Sequence, residues 1–241
     1  MDLTAMRIVA LTGAGISTAS GIPDYRGPQG LWRQDPEHEK LVTFDYYVAD
    51  PDIRRRSWLY RRDSPAWTAS PNAAHRALAE RADILVITQN VDGLHQRAGL
   101  PDDRVLELHG NMFRAVCLSC GAPSTTREAI DRVLAGEDDP RCVLCGGVLK
   151  TGTVMFGEAL DAAVLNRAVS AAQQAEVFLA IGTSLRVHPA ASLVDLAAQS
   201  GARVIIVNAE PTPYDQLAER VVREPIDTAV PLLLAELDQI A

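Results

Sequence analysis

Arg7-Ile8-Val9-Ala10-Leu11-Thr12 runs directly into Gly13-Ala14-Gly15-Ile16-Ser17, and this junction decides the fold. An apolar run of strand length with no polar alternation suits a strand buried on both faces. The glycines behind it let the chain turn tightly and approach a ligand, and a following helix offers unpaired N–H groups and the positive end of its dipole to a pyrophosphate. Strand, small-residue turn and helix together make a nucleotide loop of the parallel α/β kind. By itself the loop is also compatible with a tight strand-to-helix turn that holds no ligand. It departs from the dehydrogenase fingerprint, because Thr18 stands where a third glycine belongs and no acidic residue closes a second strand about 20 residues on.

Outward from this junction, buried strands are expected at Ile84 to Thr88, Val177 to Ile181 and Val204 to Val207, each behind a stretch rich in Ala, Leu, Glu and Gln. That alternation predicts an α/β fold with a parallel sheet. Two regions interrupt it. Residues 32–70, with clustered aromatics and the run Arg54-Arg55-Arg56, read as a helical insert; residues 116–149 hold all four cysteines and too few large apolar groups to make a core unaided. The chain has 241 residues and a mass of 26.0 kDa, which suits one large domain with a smaller insert. Its 47% hydrophobic and 22% charged residues exclude a collagen or a disordered polar chain, and its net charge of -8 argues against nucleic acid or an anionic membrane as partner. No apolar run approaches the roughly 20 residues of a membrane span. Met1-Asp2-Leu3-Thr4 does not begin a secretory signal, so a cytoplasmic location is expected. Nothing in the sequence sets an oligomeric state.

Cys117-Leu118-Ser119-Cys120 and Cys142-Val143-Leu144-Cys145, with 21 residues between them, have the spacing of two zinc knuckles. Four thiolates fill a tetrahedral ion and leave no position for water, so the expected Zn2+ is structural. A redox dithiol or unliganded core cysteines are the weaker alternatives.

Other segments gather where ligands bind in open α/β sheets, beyond the carboxyl ends of strands. Gly21-Ile22-Pro23-Asp24-Tyr25-Arg26-Gly27 is a loop able to close over a cofactor, or else a surface turn. Gln89, Asn90 and Asp92 follow a strand and suit a ribose and a carboxamide, although helix capping by Asn90 or Asp92 would account for one of them. Leu108-His109-Gly110 follows a strand at Val105 to Leu108 and makes His109 a general-base candidate, while His75 reads as structural. Val154-Met155-Phe156-Gly157-Glu158 reads as an extended edge able to accept a peptide as an added strand, or as an ordinary strand end. Gly182-Thr183-Ser184 and Asn208-Ala209-Glu210 each end a further strand.

In this order and spacing the segments resemble the sirtuin family of NAD-dependent protein-lysine deacylases, bacterial type, over nearly the whole chain. The resemblance implies a Rossmann-like large domain (residues 1–31, 71–115 and 150–241) and a small domain made of the helical insert 32–70 and the zinc module 116–149, with NAD and an acyl-lysine peptide meeting between them. It implies that Gly13, Ala14, Ser17, Tyr25 and Arg26 line the NAD phosphates and nicotinamide ribose, that Gln89, Asn90 and Asp92 surround the ribose and carboxamide, and that Gly182, Ser184, Asn208, Glu210 and the backbone of Ile226 hold the adenosine half. His109 is then the catalytic base, and Val154, Phe156, Gly157 and Glu158 align the peptide through main-chain hydrogen bonds. In the implied reaction the acyl oxygen attacks the ribose as nicotinamide leaves, and free lysine and an O-acyl-ADP-ribose result.

Deacetylation is the core activity this implies. Trp58-Leu59-Tyr60-Arg61 corresponds to a Tyr-x-x-Arg pair that reads a succinyl carboxylate in one bacterial branch, so Trp58 and Arg61 are the candidate acyl-reading residues. Arg61 keeps the charge; Trp58 replaces the phenol with an indole. A solvated arginine on a basic helix is the competing reading of Arg61. The other functions weighed are a reversible NAD oxidoreductase, a zinc-ribbon interaction module without catalysis, and ADP-ribosyl transfer to protein.

Overall fold

The computed structural model describes residues 8–24 and 38–239. Along the chain run β1 (Ile8–Thr12), α1 (His38–Leu41), α2 (Phe44–Ala49), α3 (Pro51–Arg62), α4 (Ala73–Glu80), β2 (Ile84–Thr88), α5 (Leu94–Arg97), β3 (Val105–Glu107), β4 (Gly110–Cys117), β5 (Pro123–Thr125), α6 (Thr126–Leu134), β6 (Leu149–Thr153), α7 (Ala162–Gln174), β7 (Val177–Ile181), α8 (Ser192–Gln199), β8 (Arg203–Val207), β9 (Arg220–Val222) and α9 (Ile226–Asp238). Among the described residues no helix is long and apolar enough to cross a membrane.

Six strands form a parallel sheet in the order β3-β2-β1-β7-β8-β9. The period of two along each strand divides its apolar residues between two cores. Val9 and Leu11, with Leu85, Ile87, Phe178, Ala180, Val204 and Ile206, face a layer made by Ala168, Ala171 and Ala172 of α7 and Leu193, Val194 and Ala197 of α8. Ile8 and Ala10, with Ile84, Val86, Leu179, Ile181, Ile205 and Val207, face Ala74 and Leu78 of α4 and Val230, Leu233 and Leu234 of α9. Both faces being covered, the strands needed the uninterrupted apolar runs that the sequence displays.

The strand order grows from β1 toward β3 on one side and restarts at β7 on the other. This is the Rossmann arrangement, and its switch point opens a crevice at the carboxyl ends of β1 and β7. The crevice is closed at its base by glycines in contact. The Gly15 N–H donates to the Gly182 carbonyl at 2.8 Å. A Cβ on Gly13 would lie 2.7 Å from the Gly182 oxygen, and one on Gly182, at φ +61°, would lie 2.3 Å from the Ile16 nitrogen. Gly182, just after a different strand, therefore meets the loop as closely as a third loop glycine would. The helix expected after β1 is a 3-10 helix: it spans the seven residues Ala14–Ser20 and is ended by Gly21.

The remaining strands form a separate antiparallel sheet, β5-β4-β6, with a register shift in β4 between Gly110 and Ala115. It starts at Gly110 and ends at Thr153, so it reaches beyond residues 116–149 on both sides. Trp58, Ala115, Cys117, Ala129, Val133, Cys142 and Leu149 make its small core, two of the seven being cysteines. The helical insert is fastened to it by Arg54, which is buried. Its guanidinium grips Asp139 with two bonds of 2.7 and 2.8 Å and donates to the carbonyls of Tyr47 and Val48. The Tyr47 hydroxyl adds a bond of 2.7 Å to the Leu149 carbonyl.

Candidate active site

The groups expected to hold a dinucleotide converge on the crevice. Ser17 is their hub: its hydroxyl donates to Asp92 Oδ2 at 2.7 Å and lies 3.3 Å from Asn90 Nδ2. Asn90 Nδ2 also donates to the Gly13 carbonyl at 3.1 Å, and Gln89 Nε2 reaches Thr183 Oγ1 at 2.9 Å. Asp92 Oδ1 accepts the Leu94 N–H at 2.9 Å, although the N-cap residue of α5 is Gly93, which makes no side-chain cap. Burial pushes the Asp92 carboxyl above its usual range, against the Leu94 N–H and Ser17 hydroxyl that hold it down.

Beneath this layer lies a support of which the sequence reading named only His75, as a structural residue. Thr12 donates its hydroxyl hydrogen to Thr88 Oγ1 at 2.9 Å and must therefore accept from His95 Nε2 at 2.9 Å. Thr88 Oγ1 also receives the Asn90 N–H at 3.0 Å. Asn72 caps α4 and with its Nδ2 holds the Ile16 carbonyl at 2.8 Å, fixing the 3-10 segment to the start of α4; His75 completes the capping box. The only sequence signal for these struts was their residue types at strand ends and at a helix start.

His109 follows β3 in a turn, half-buried. Its Nδ1 stands 2.9 Å from the Gln89 carbonyl. A carbonyl only accepts, so Nδ1 carries the hydrogen and the neutral ring keeps its lone pair on Nε2. Burial lowers the pKa of His109, partly offset by that backbone bond, and keeps the imidazole neutral and able to take a proton. The His109 carbonyl accepts the Val154 N–H at 2.8 Å, so the histidine ties the dinucleotide edge to the expected peptide segment.

That segment is not an edge strand. β6 stops at Thr153, and residues 154–158 form a loop bridged in parallel to residues 42–44. Phe156 donates to the Val42 carbonyl and accepts from the Phe44 N–H, both at 2.9 Å, so its main-chain groups are engaged by the helical insert. Gly157, exposed and at φ +91°, has no hydrogen-bond partner for its N–H or carbonyl among the described residues. Glu158 turns its carboxylate toward Lys150 and the Met155 N–H. Close by, a groove of about 450 Å³ lies between β3, the antiparallel sheet and α7, with Gly110, Arg114, Val154 and Arg167 in its wall.

Ser184, Asn208, Glu210 and Ile226 follow β7, β8 and β9 at the same sheet edge as Gly13 and Gln89. Arg223 clamps this part by donating to the carbonyls of Asn208 and Glu210 at 2.7 and 2.9 Å. Tyr25 and Arg26 lie outside the described residues. Trp58 is placed differently from the expectation. Its indole is 1% exposed, packed in the small core edge-on to Tyr47, and its Nε1 has no acceptor among the described residues. Arg61, 6% exposed, is not a solvated surface residue; its guanidinium donates to the carbonyl and hydroxyl oxygens of Ser57.

The four cysteine sulfurs lie within 4.8 Å of one another, with Cys117 to Cys145 at 3.5 Å and Cys120 to Cys142 at 3.8 Å. Sulfurs at about 2.3 Å from a tetrahedral ion stand about 3.8 Å apart, whereas a disulfide needs about 2.05 Å. Each knuckle closes in the same way: Gly121 and Gly146, both at positive φ, donate to the carbonyls of Cys117 and Cys142. Gly147 packs so tightly that a Cβ would lie 2.8 Å from the Cys117 sulfur. The residues fit one zinc ion held by Cys117, Cys120, Cys142 and Cys145, with all four positions filled by the protein.

Comparison with known proteins agrees with this architecture. Residues 13–189 match the model of the Sir2 family. The chain is 59% identical over 237 residues to "NAD-dependent protein deacetylase 2" of Streptomyces coelicolor, covering 96% of this chain and 98% of that protein. It is 46% identical over 236 residues to "NAD-dependent protein deacetylase 1" of Pyrobaculum aerophilum, covering 95% and 89%. Among solved structures, one described as "Sir2-p53 peptide-NAD+" superposes with a TM-score of 0.84 at 35% identity, covering 97% of this chain and 94% of that one. Another, "Structural Basis for the Mechanism and Regulation of Sir2 Enzymes", gives 0.85 at 38% identity, covering 99% and 96%. With its glycine-based crevice, its closed four-cysteine cluster and these likenesses along nearly its whole length, the chain belongs to the Sir2 family, the sirtuins.

Proposed function

We propose that this protein is an NAD-dependent protein-lysine deacylase that converts NAD and an acyl-lysine protein or peptide into nicotinamide, an O-acyl-ADP-ribose and free lysine, with deacetylation as its core activity. The observation that carries the reading is His109: a neutral imidazole with its lone pair on Nε2, its Nδ1 fixed by the Gln89 carbonyl, and its own carbonyl holding Val154. This joins a base to both expected substrates at one point. NAD, when bound, would supply a glycosidic bond whose cleavage leaves an electrophilic ribose C1′ for the acyl oxygen to attack, nicotinamide being the leaving group. Gly13, Ala14 and Ser17 then hold its phosphate side, Gln89, Asn90 and Asp92 the ribose and carboxamide, and Gly182, Ser184, Asn208, Glu210 and the Ile226 backbone the adenosine. Tyr25 and Arg26 belong to the same proposed set by sequence. Asp92, shielded and hydrogen-bonded to Ser17, keeps a polar contact for the carboxamide in a site that excludes water.

His109 takes a proton from a sugar hydroxyl, for which its tautomer and lowered pKa suit it. Val154 and Gly157 align the peptide, with Gly157 offering a main-chain pair that has no partner among the described residues. Zinc holds the small domain in shape and takes no part in the chemistry. A cytoplasmic location accompanies the reading, since a four-thiolate site suits a reducing compartment. Arg61, buried and charged, is the residue to read a carboxylate on a succinyl group.

One assay tests the whole reading. Purified zinc-loaded protein is given NAD with acetyl-, propionyl- and succinyl-lysine peptides, and nicotinamide and free lysine are measured. Release of both in equal amounts is expected. NADH absorbance, label transferred from NAD to protein, or no nicotinamide with any peptide would each sink it. Arg61→Met should lower succinyl turnover selectively; equal losses on acetyl and succinyl peptides would remove its proposed role.

A further inference from the structure

A buried lysine next to the peptide loop has no part in the chemistry above. Lys150, on β6, has a side chain only 5% exposed, and its ammonium meets three acceptors: Glu158 Oε2 at 2.9 Å, the Thr151 carbonyl at 3.1 Å and the Thr153 carbonyl at 2.5 Å. The same Glu158 oxygen accepts the Met155 N–H at 2.8 Å, and the Glu158 N–H returns to the Met155 carbonyl at 3.0 Å. One ammonium thus links main-chain groups at 151, 153 and, through the carboxylate, 155. A buried ion pair is seldom worth more to stability than apolar residues of the same volume. An apolar pair, however, would bind none of these main-chain groups, and they set the path of the loop.

The path matters because most of the loop is already tied. Val154 is held by His109 and Phe156 by residues 42–44, which leaves the exposed Gly157 with an N–H and carbonyl that have no partner among the described residues. We infer that Lys150 is a positioning residue for the acyl-lysine peptide: through Glu158 it holds residues 153–158 in the form that presents Gly157 to an added strand while Val154 stays on the His109 carbonyl. This rests on the deacylase reading and names a part of its peptide site.

The test is steady-state deacylation of an acetyl-lysine peptide by the zinc-loaded full chain in Lys150→Met, Lys150→Arg, Glu158→Gln and the double variant Lys150→Met/Glu158→Gln. Lys150→Met should raise KM for the peptide about tenfold, the weight of a hydrogen-bonded charge, with KM for NAD changed by less than about twofold. Lys150→Arg should recover most of that loss, and the double variant should be no worse than Lys150→Met, because each change removes the same link. An unchanged peptide KM, an equal rise in both KM values, or additive losses in the double variant would overturn the inference. If Lys150→Met fails to fold, Glu158→Gln carries the same split, with a rise of about threefold in peptide KM alone; no rise there overturns it as well. Failure of the wild-type protein to release nicotinamide would instead be a failure of the deacylase reading.

Discussion

The parallel sheet and the antiparallel zinc sheet hold together by different means. The first is buried on both sides between helices, with two continuous apolar cores. The second has one short core to which two cysteines belong, and it is braced by the Arg54–Asp139 clamp, the Tyr47–Leu149 bond and the four-sulfur cluster. A module with so little apolar area does not offset its conformational entropy unaided, so a metal supplies what burial does not. The proposed active site draws on both: the large sheet contributes strand ends, and the antiparallel sheet leads through β6 into the loop tied to His109.

This contrast is best broken by removing zinc, where the largest effect is expected. A structural zinc ion contributes on the order of 10 kcal/mol to the fold around it. Chelation, or Cys117→Ser, should therefore melt the small domain while the six-stranded sheet stays folded, seen as a split thermal transition with most far-ultraviolet dichroism retained. A single unchanged transition after complete metal loss would show that the small core suffices alone.

The junction of the two regions comes next. His109→Ala should lower kcat by about 10²- to 10⁴-fold while NAD binding, measured by calorimetry, is retained. Wild-type rates would remove His109 as the base. Because burial lowers its pKa, His109 remains neutral at pH values where an exposed histidine is protonated, so the acid limb of kcat/KM should fall below the usual value of about 6.5. An acid limb above that value would contradict the environment described for the ring.

Two glycine substitutions, compared by urea unfolding, give the smallest effect and sharpen the comparison. Gly182→Ala places a Cβ 2.3 Å from backbone at φ +61° and should destabilise the large domain by about 3 kcal/mol. Gly121→Ala has a similar φ of +71° but nothing within 4 Å, and should cost about 1 kcal/mol. Equal costs would mean that backbone conformation, and not close approach, makes Gly182 necessary.

The two regions were also unequally legible. Ile84 to Thr88 and Val177 to Ile181 are strands with the bounds expected, because a strand covered on both faces is apolar along nearly its whole length, the polar Thr88 standing at its end. β4, by contrast, spells Gly-Asn-Met-Phe-Arg-Ala-Val-Cys and shifts register midway, and no periodicity announces it. Val154 to Glu158 looked like an open edge because its residues suit one, but segment 42–44 had already taken the bonds of Phe156. Trp58 was read as facing a substrate, three residues before Arg61 on one helix; both are buried, and that the indole packs in the small core was decided by Tyr47 and the zinc-module strands.

From the amino acids alone came the parallel strands, the assembly of four cysteines into one closed metal site, and the set of polar groups at strand ends, all of which depend on local periodicity or fixed spacing. Only the folded chain decided that Gly182 presses on Gly13 and Gly15, that the Gln89 carbonyl sets the tautomer of His109, and that Lys150 reaches the loop through Glu158. The first two of these join residues far apart in sequence, and the third joins a strand to the loop after it. In each case the contact is set by how the elements pack and turn, which no single stretch of sequence encodes.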